Sequence, residues 1–305
     1  MQTIIDPAEP LEWRRRRRKL IFLAALLFAV FIIGRIALSN WVDLLWFRSL
    51  GYGSVFWTTI WIQVDFFAGA SLVTFVVLYL AFWGIRRSHQ GYLPTAHAIL
   101  VGGHQLRFSV EPGLRFISLG ISIVFAVIAG FTMVGEWPVL GLFWYAPHAM
   151  GTATDPIFGK PLDFFLFTLP AWQLINNWLL TLAITTCAVA ILFLFITSGS
   201  RTLENRKISY GPAPWRGLSV TVVFLLLVSA MTVYVNRFQT LLEHHTIFDG
   251  VNYTDAHVLI PGALILCAAL LFGAGVAVVN AIRESRGRLL LVAIAPAIVC
   301  YVVIA

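Results

Sequence analysis

Charged side chains are scarce in this sequence. Of its 305 residues, 21 are Lys or Arg and 14 are Asp or Glu, together 11%. Soluble domains carry about a quarter charged residues, so this chain has too little polar surface to coat a particle in water. With 59% hydrophobic residues and a mean hydropathy of +0.86, it is also excluded from the disordered classes. Cysteine is nearly absent. Cys187, Cys267 and Cys300 all sit in apolar runs, where a thiol serves as a small packing group, so no disulfide scaffold is indicated. Catalytic signatures are lacking as well. The chain has no phosphate-binding Gly-x-x-x-x-Gly-Lys-Ser/Thr loop, no Gly-x-Ser-x-Gly elbow, no His-Glu-x-x-His and no Cys-x-x-Cys. The apolar runs do not alternate with polar residues, which excludes a membrane barrel.

What is present is length of apolar run. A membrane helix needs about 20 mostly apolar residues. Seven windows qualify: Leu20–Leu38, Val55–Trp83, Phe116–Val134, Leu174–Ile196, Leu218–Val235, Val258–Ile282 and Leu289–Ala305. The expected fold is therefore all-α, a polytopic membrane protein of seven transmembrane helices with interfacial helices in the outer loops. Residues 1–19 form a basic tail and residues 20–305 the membrane domain. The first window follows Arg14 to Lys19 and resembles a signal peptide. Its length and the six windows after it identify a retained signal anchor.

Basic residues set the orientation. The tail and the second, fourth and sixth connections hold 17 Lys or Arg, while the opposite loops hold only Arg48, Lys160 and Arg237. By the positive-inside rule the N terminus is cytoplasmic. The +7 net charge is thus a record of membrane insertion and excludes a nucleic-acid partner. The same clusters suit anionic lipids at the cytoplasmic face. The outer loops are weakly acidic and carry most of the histidines. The last window runs apolar to Ala305 without a polar flank, so the expectation is a longer polypeptide.

Three outer connections are distinctive. The first contains Trp41, Leu44 and Leu45 and reads as a short interfacial helix stopped by Gly51 and Gly53. The third contains Asp155-Pro-Ile-Phe158-Gly-Lys-Pro-Leu-Asp163-Phe-Phe-Leu-Phe-Thr-Leu-Pro170. The fifth contains Asn236-Arg-Phe and, later, Tyr253-Thr-Asp255. Together with Trp46-Phe-x-x-Leu-Gly-Tyr52, these stretches resemble a bacterial family of unknown function, uncharacterised protein family 0182. The resemblance covers nearly the whole chain. It implies a seven-helix domain in the bacterial plasma membrane, followed in the family by a large extracytoplasmic region. It supplies no reaction and no catalytic residues.

Candidate sites follow from cost. Asp65 lies about ten residues into the second window, roughly 15 Å along the axis, and a carboxylate there is expensive. It reads either as a structural partner of Arg35 or as a proton or ion relay. Asn176 and Asn177 read as amide glue between helices. His148, His244, His245, His257, Asp249 and Asp255 have ligand chemistry but no diagnostic spacing, so neither a metal nor a cofactor is assigned. Trp144, Asp155, Phe158, Asp163, Tyr253 and Asp255 are candidate contacts on the outer face, where the third connection is too apolar to stand free in water. The leading functional expectation is a membrane anchor or scaffold that positions an extracytoplasmic region or protein partner. The alternative is a transporter or lipid-handling protein using Asp65. A membrane enzyme ranks third.

Overall fold

A computed structural model describes residues 9–89, 97–101, 104–108, 110–146, 154–203, 213–243, 250–283 and 287–304. Helices dominate: α1 (Glu9–Ser49), α2 (Gly53–His89), α3 (Val110–Gly135), α4 (Trp137–Tyr145), α5 (Leu169–Leu203), α6 (Ala213–Asn236), α7 (Ile260–Ile282) and α8 (Gly287–Ile304). Six helices are long and apolar enough to cross a membrane, and a shorter apolar one spans Gly287–Val303. The chain divides into two compact units, Met1–Gln63 and Val64–Ala305.

The first unit contains α1 and the start of α2. The interfacial helix expected after the first window is instead the last stretch of α1, which runs unbroken to Ser49. No proline or glycine interrupts residues 35–50, so nothing stops the helix sooner. Gly51, at φ +80°, then stops it. Its N–H donates to Arg48 O at 3.1 Å and the N–H of Tyr52 to Phe47 O at 2.9 Å. This is the Schellman pattern, which needs a left-handed residue just past the helix. Across the turn the rings of Phe47 and Phe56 pack with centroids 5.9 Å apart.

In the second unit, β1 (His97–Val101) and β2 (His104–Phe108) form an antiparallel hairpin in the connection between α2 and α3. The sequence expectation contained no strands. Two short runs separated by Gly102-Gly103 are nonetheless a hairpin signal.

The core of this unit is built by α5 to α8 with the end of α2. Phe82, Ile85, Phe193, Leu226, Ala274 and Ala293 belong to one buried cluster. Small residues make it possible. On α7 the buried positions Gly273, Ala274, Ala277 and Asn280 recur every three or four residues, so they share one face. At Gly273 a methyl group would fall on the carbonyl oxygen of Ala293, so α7 and α8 meet backbone to backbone there. Large side chains such as Leu72, Phe116, Phe272 and Leu291 point outward and are exposed. That is the reverse of a soluble protein, and in lipid such faces carry no penalty.

Buried polar groups pair between helices. Asn280 Nδ2 donates to Ser219 Oγ at 2.9 Å, tying α7 to α6. Asn176 Nδ2 donates to Thr232 Oγ1 at 2.8 Å, tying α5 to α6. Trp178 Nε1 donates to Thr74 Oγ1 at 3.1 Å, tying α5 to α2. The glue role read for Asn176 is therefore observed.

Replacing Gly273 with Val should lower stability by about 1–3 kcal/mol, because the new side chain must push α7 off α8. Gly275 faces open space, so Gly275→Val is the matched control. Thermal unfolding in detergent, followed by size-exclusion chromatography, should separate the two. Equal midpoints would contradict the close approach.

Candidate functional site

The segment before α5 begins with a tight loop. Asp155 Oδ2 accepts hydrogen bonds from the backbone N–H of Ile157 at 3.1 Å and of Phe158 at 2.6 Å. The N–H of Asp155 donates to Lys160 O at 2.8 Å, and Thr154 bridges to Pro161. Gly159 closes the loop at φ +63°, a value unfavourable for residues with a Cβ. An aspartate can fold its own backbone in this way because its short side chain mimics a carbonyl. Asp163 Oδ1 then accepts from Phe164 N at 2.9 Å, at the start of a π-helical turn, Phe164–Thr168, that leads into α5.

This loop delivers aromatic rings onto the end of α6. Phe165, Leu169, Val235 and Phe238 form a second buried cluster with Phe158, Phe164, Met231 and Leu241 against it. Phe238 is central: its centroid lies 4.9 Å from that of Phe158, 5.1 Å from Phe164 and 5.8 Å from Tyr234. Over these rings sits Arg237. Its guanidinium carbon is 4.1 Å from the Tyr234 centroid, 4.7 Å from Phe238 and 5.9 Å from Phe158. Its Nε is buried without a hydrogen-bond partner among the described residues. The charge is therefore stabilised by ring faces, each worth about 0.5–2 kcal/mol. Lys160 Nζ lies 5.6 Å from the Phe164 centroid, so a second cation borders the same cluster.

At the same end, the start of α7 has its own lock. Asn252 Oδ1 accepts from Asp255 N at 2.7 Å, and Asp255 Oδ2 accepts from Asn252 N at 3.1 Å. This reciprocal exchange is a capping box, which satisfies two donors that a helix start leaves open. Asp255 is buried and opens a π-helical turn, Asp255–Leu259. The Tyr253 ring is 79% exposed and stacks on His257 with centroids 4.1 Å apart.

The sequence candidates divide accordingly. Asp155, Phe158 and Asp163 build the loop and its aromatic cluster, Asp255 forms the capping box with Asn252, and Tyr253 is an exposed ring stacked on His257. Trp144 is exposed, with its ring edge-on to Phe143. Arg35 lies in the first unit and Asp65 in the second, both exposed. Asp65 lines neither of two cavities of about 600 Å³ found among the described residues of the second unit. No group of three His, Cys, Asp or Glu side chains converges among the described residues. His148, His244, His245 and Asp249 lie outside the described residues. Sequence reasoning missed Arg237 and Lys160 as site residues. The available signal was their rarity, two of only three basic residues in the loops expected to face outward, with Arg237 flanked by Tyr234 and Phe238.

Long apolar helices, buried polar groups that pair between helices, and an ordered aromatic end define a multi-pass helical protein of membrane type. Sequence comparison then places it. The chain belongs to the Uncharacterised protein family UPF0182, whose family model matches residues 20–305. A UPF0182 protein of Saccharopolyspora erythraea is 30% identical over 260 residues, covering 85% of this chain and 26% of that relative. One from Geobacter sp. strain M21 is 31% identical over 248 residues, 79% of this chain and 27% of the relative. One from Micrococcus luteus is 27% identical over 286 residues, 93% of this chain and 26% of the relative. The chain thus spans about a quarter of the length of the curated relatives it matches. No solved structure matches it.

Asp155→Ala removes the acceptor of two backbone bonds, each worth about 1 kcal/mol. Limited proteolysis should cut residues 154–162 severalfold faster in the variant, with helix content unchanged. Identical cleavage rates would show that the loop does not depend on its carboxylate.

Proposed function

We propose that this chain is a seven-span domain of the bacterial plasma membrane, with its N terminus in the cytoplasm. It acts as an anchor and scaffold that positions an extracytoplasmic region or a protein partner. The observation that carries this reading is the locked aromatic platform at the end where α6 finishes. There Asp155 folds the loop, Phe158, Phe164 and Phe238 stack, and Arg237 lies across the rings. A loop needed only to connect two spans has no reason to be so extensively cross-braced. A docking surface does, since a preformed surface costs less ordering entropy on binding. Exposed apolar groups on this platform, Leu162 and Trp172 among them, supply contact area. The relatives' greater length, about a quarter of which this chain matches, supports a role as the membrane-bound part of something larger.

The span count and orientation rest on the 17-to-3 division of basic residues, with Gly287–Ile304 as the seventh span. Reporter fusions test both. A fluorescent protein fused after Arg206 should be bright, and alkaline phosphatase fused after Ala153 should be active. The opposite pattern would reverse the orientation.

Docking is tested by placing a photo-crosslinking residue at Leu162 in the full-length protein in cells. The expected product is one discrete adduct with the extracytoplasmic part of the same chain or with a single partner protein. Adducts with lipid alone would leave the platform as an interfacial anchor and overturn the scaffold reading.

A further inference from the structure

At the opposite end of the second unit, a groove lies between α2, α5 and α6. Its volume is about 590 Å³, within the range of about 300–1,000 Å³ usual for small-molecule sites. The wall is apolar: Val77, Leu80, Ala81, Val220 and Phe224 line it, with Gly84 and Gly217 leaving room. Its two threonines offer a ligand little, because each donates to its own helix. Thr186 Oγ1 donates to Ala183 O at 3.0 Å and Thr221 Oγ1 to Leu218 O at 2.9 Å. The charged lining residues are Arg87 and Arg216, and among the described residues no carboxylate lines the groove.

These guanidiniums are held in place. Arg216 Nε donates to Ala281 O of α7 at 2.9 Å, which fixes the head of the side chain. Arg87 sits over the Trp83 ring, 5.2 Å from its centroid. One residue earlier, Arg86 has a buried Nε without a hydrogen-bond partner among the described residues. The end of α2 therefore presents positive charge that no described acid offsets.

We propose that this groove is a binding site for an anionic phospholipid, with its phosphate on Arg87 and Arg216 and an acyl chain along the wall. The chemistry selects the occupant. A zwitterionic lipid brings an ammonium to a doubly cationic mouth, and a soluble phosphate leaves the apolar wall in water. Arginine is suited to the task because its planar fork meets phosphate oxygens in pairs. The inference rests on the inner-side placement of these arginines proposed above, since anionic lipids concentrate in the cytoplasmic leaflet.

The test uses the full-length protein purified in detergent, with native mass spectrometry after addition of phosphatidylglycerol, phosphatidylcholine or inorganic phosphate. Phosphatidylglycerol should be retained about tenfold more than phosphatidylcholine, the ratio expected from one charge-assisted contact. The Arg87→Gln/Arg216→Gln variant should lose that preference, and Arg87→Lys/Arg216→Lys should keep much of it. Gly84→Leu fills the groove with the charges intact. A Cβ there meets nothing within 4 Å, and the variant, once its helix content matches that of the parent protein, should lose the lipid too. Equal retention of the two lipids, retention of inorganic phosphate alone, or full retention by Gly84→Leu would each overturn the site. Failure of the topology is read separately: the reporter fused after Arg206 would then be dark.

Discussion

The second unit depends on the contact of α7 with α8 at Gly273, where a residue without a side chain lets a backbone carbonyl approach. In lipid, apolar area does not drive helices together, because the tails are as apolar as leucine. What remains is close van der Waals contact and buried hydrogen bonds, and both need short distances. Gly273, Ala274, Ala277 and Ala293 supply those distances. Asn280 and Ser219 meet deep inside the helix pair because the backbones are already close. The same economy pushes the bulky residues outward, where the lipid receives them.

On that frame the two ends of the bundle are chemically different. At one end, aromatic rings gather around a single arginine, whose charge faces π systems and, among the described residues, no acid. At the other, arginines border an apolar groove and point to an anion. The contrast follows from their neighbours. Tyr234 and Phe238 sit one turn before and one residue after Arg237, and the Asp155 loop folds Phe158 over it. Arg87 rests on the one ring of Trp83 and Arg216 on the Ala281 carbonyl, so neither is ringed by aromatics as Arg237 is.

Much of the fold was legible in the sequence because span length and loop charge are one-dimensional quantities. Six of the seven windows correspond to the six helices long and apolar enough to cross a membrane, and Asn176 behaves as an interhelical clasp. Two local features were misread. The helix expected between residues 40 and 50 merges with α1, because an amphipathic run with no breaker continues whatever precedes it. The hairpin at residues 97–108 was passed over because its runs are short and lie beside far stronger apolar signals. Asp65 drew attention by its cost, yet cost says nothing about which side of the helix it occupies, and it is exposed.

By itself the sequence determined membership of UPF0182, the number of long apolar segments and the uneven distribution of charge, all of which are sums along the chain. The tertiary structure alone decided that Arg237 and Lys160 share an aromatic cluster with Phe158, and that Arg87 and Arg216 face one groove from helices more than a hundred residues apart. Such juxtapositions depend on the rotation of each helix about its axis. That rotation is set by where small residues allow close packing, and no periodicity within a single helix reports it.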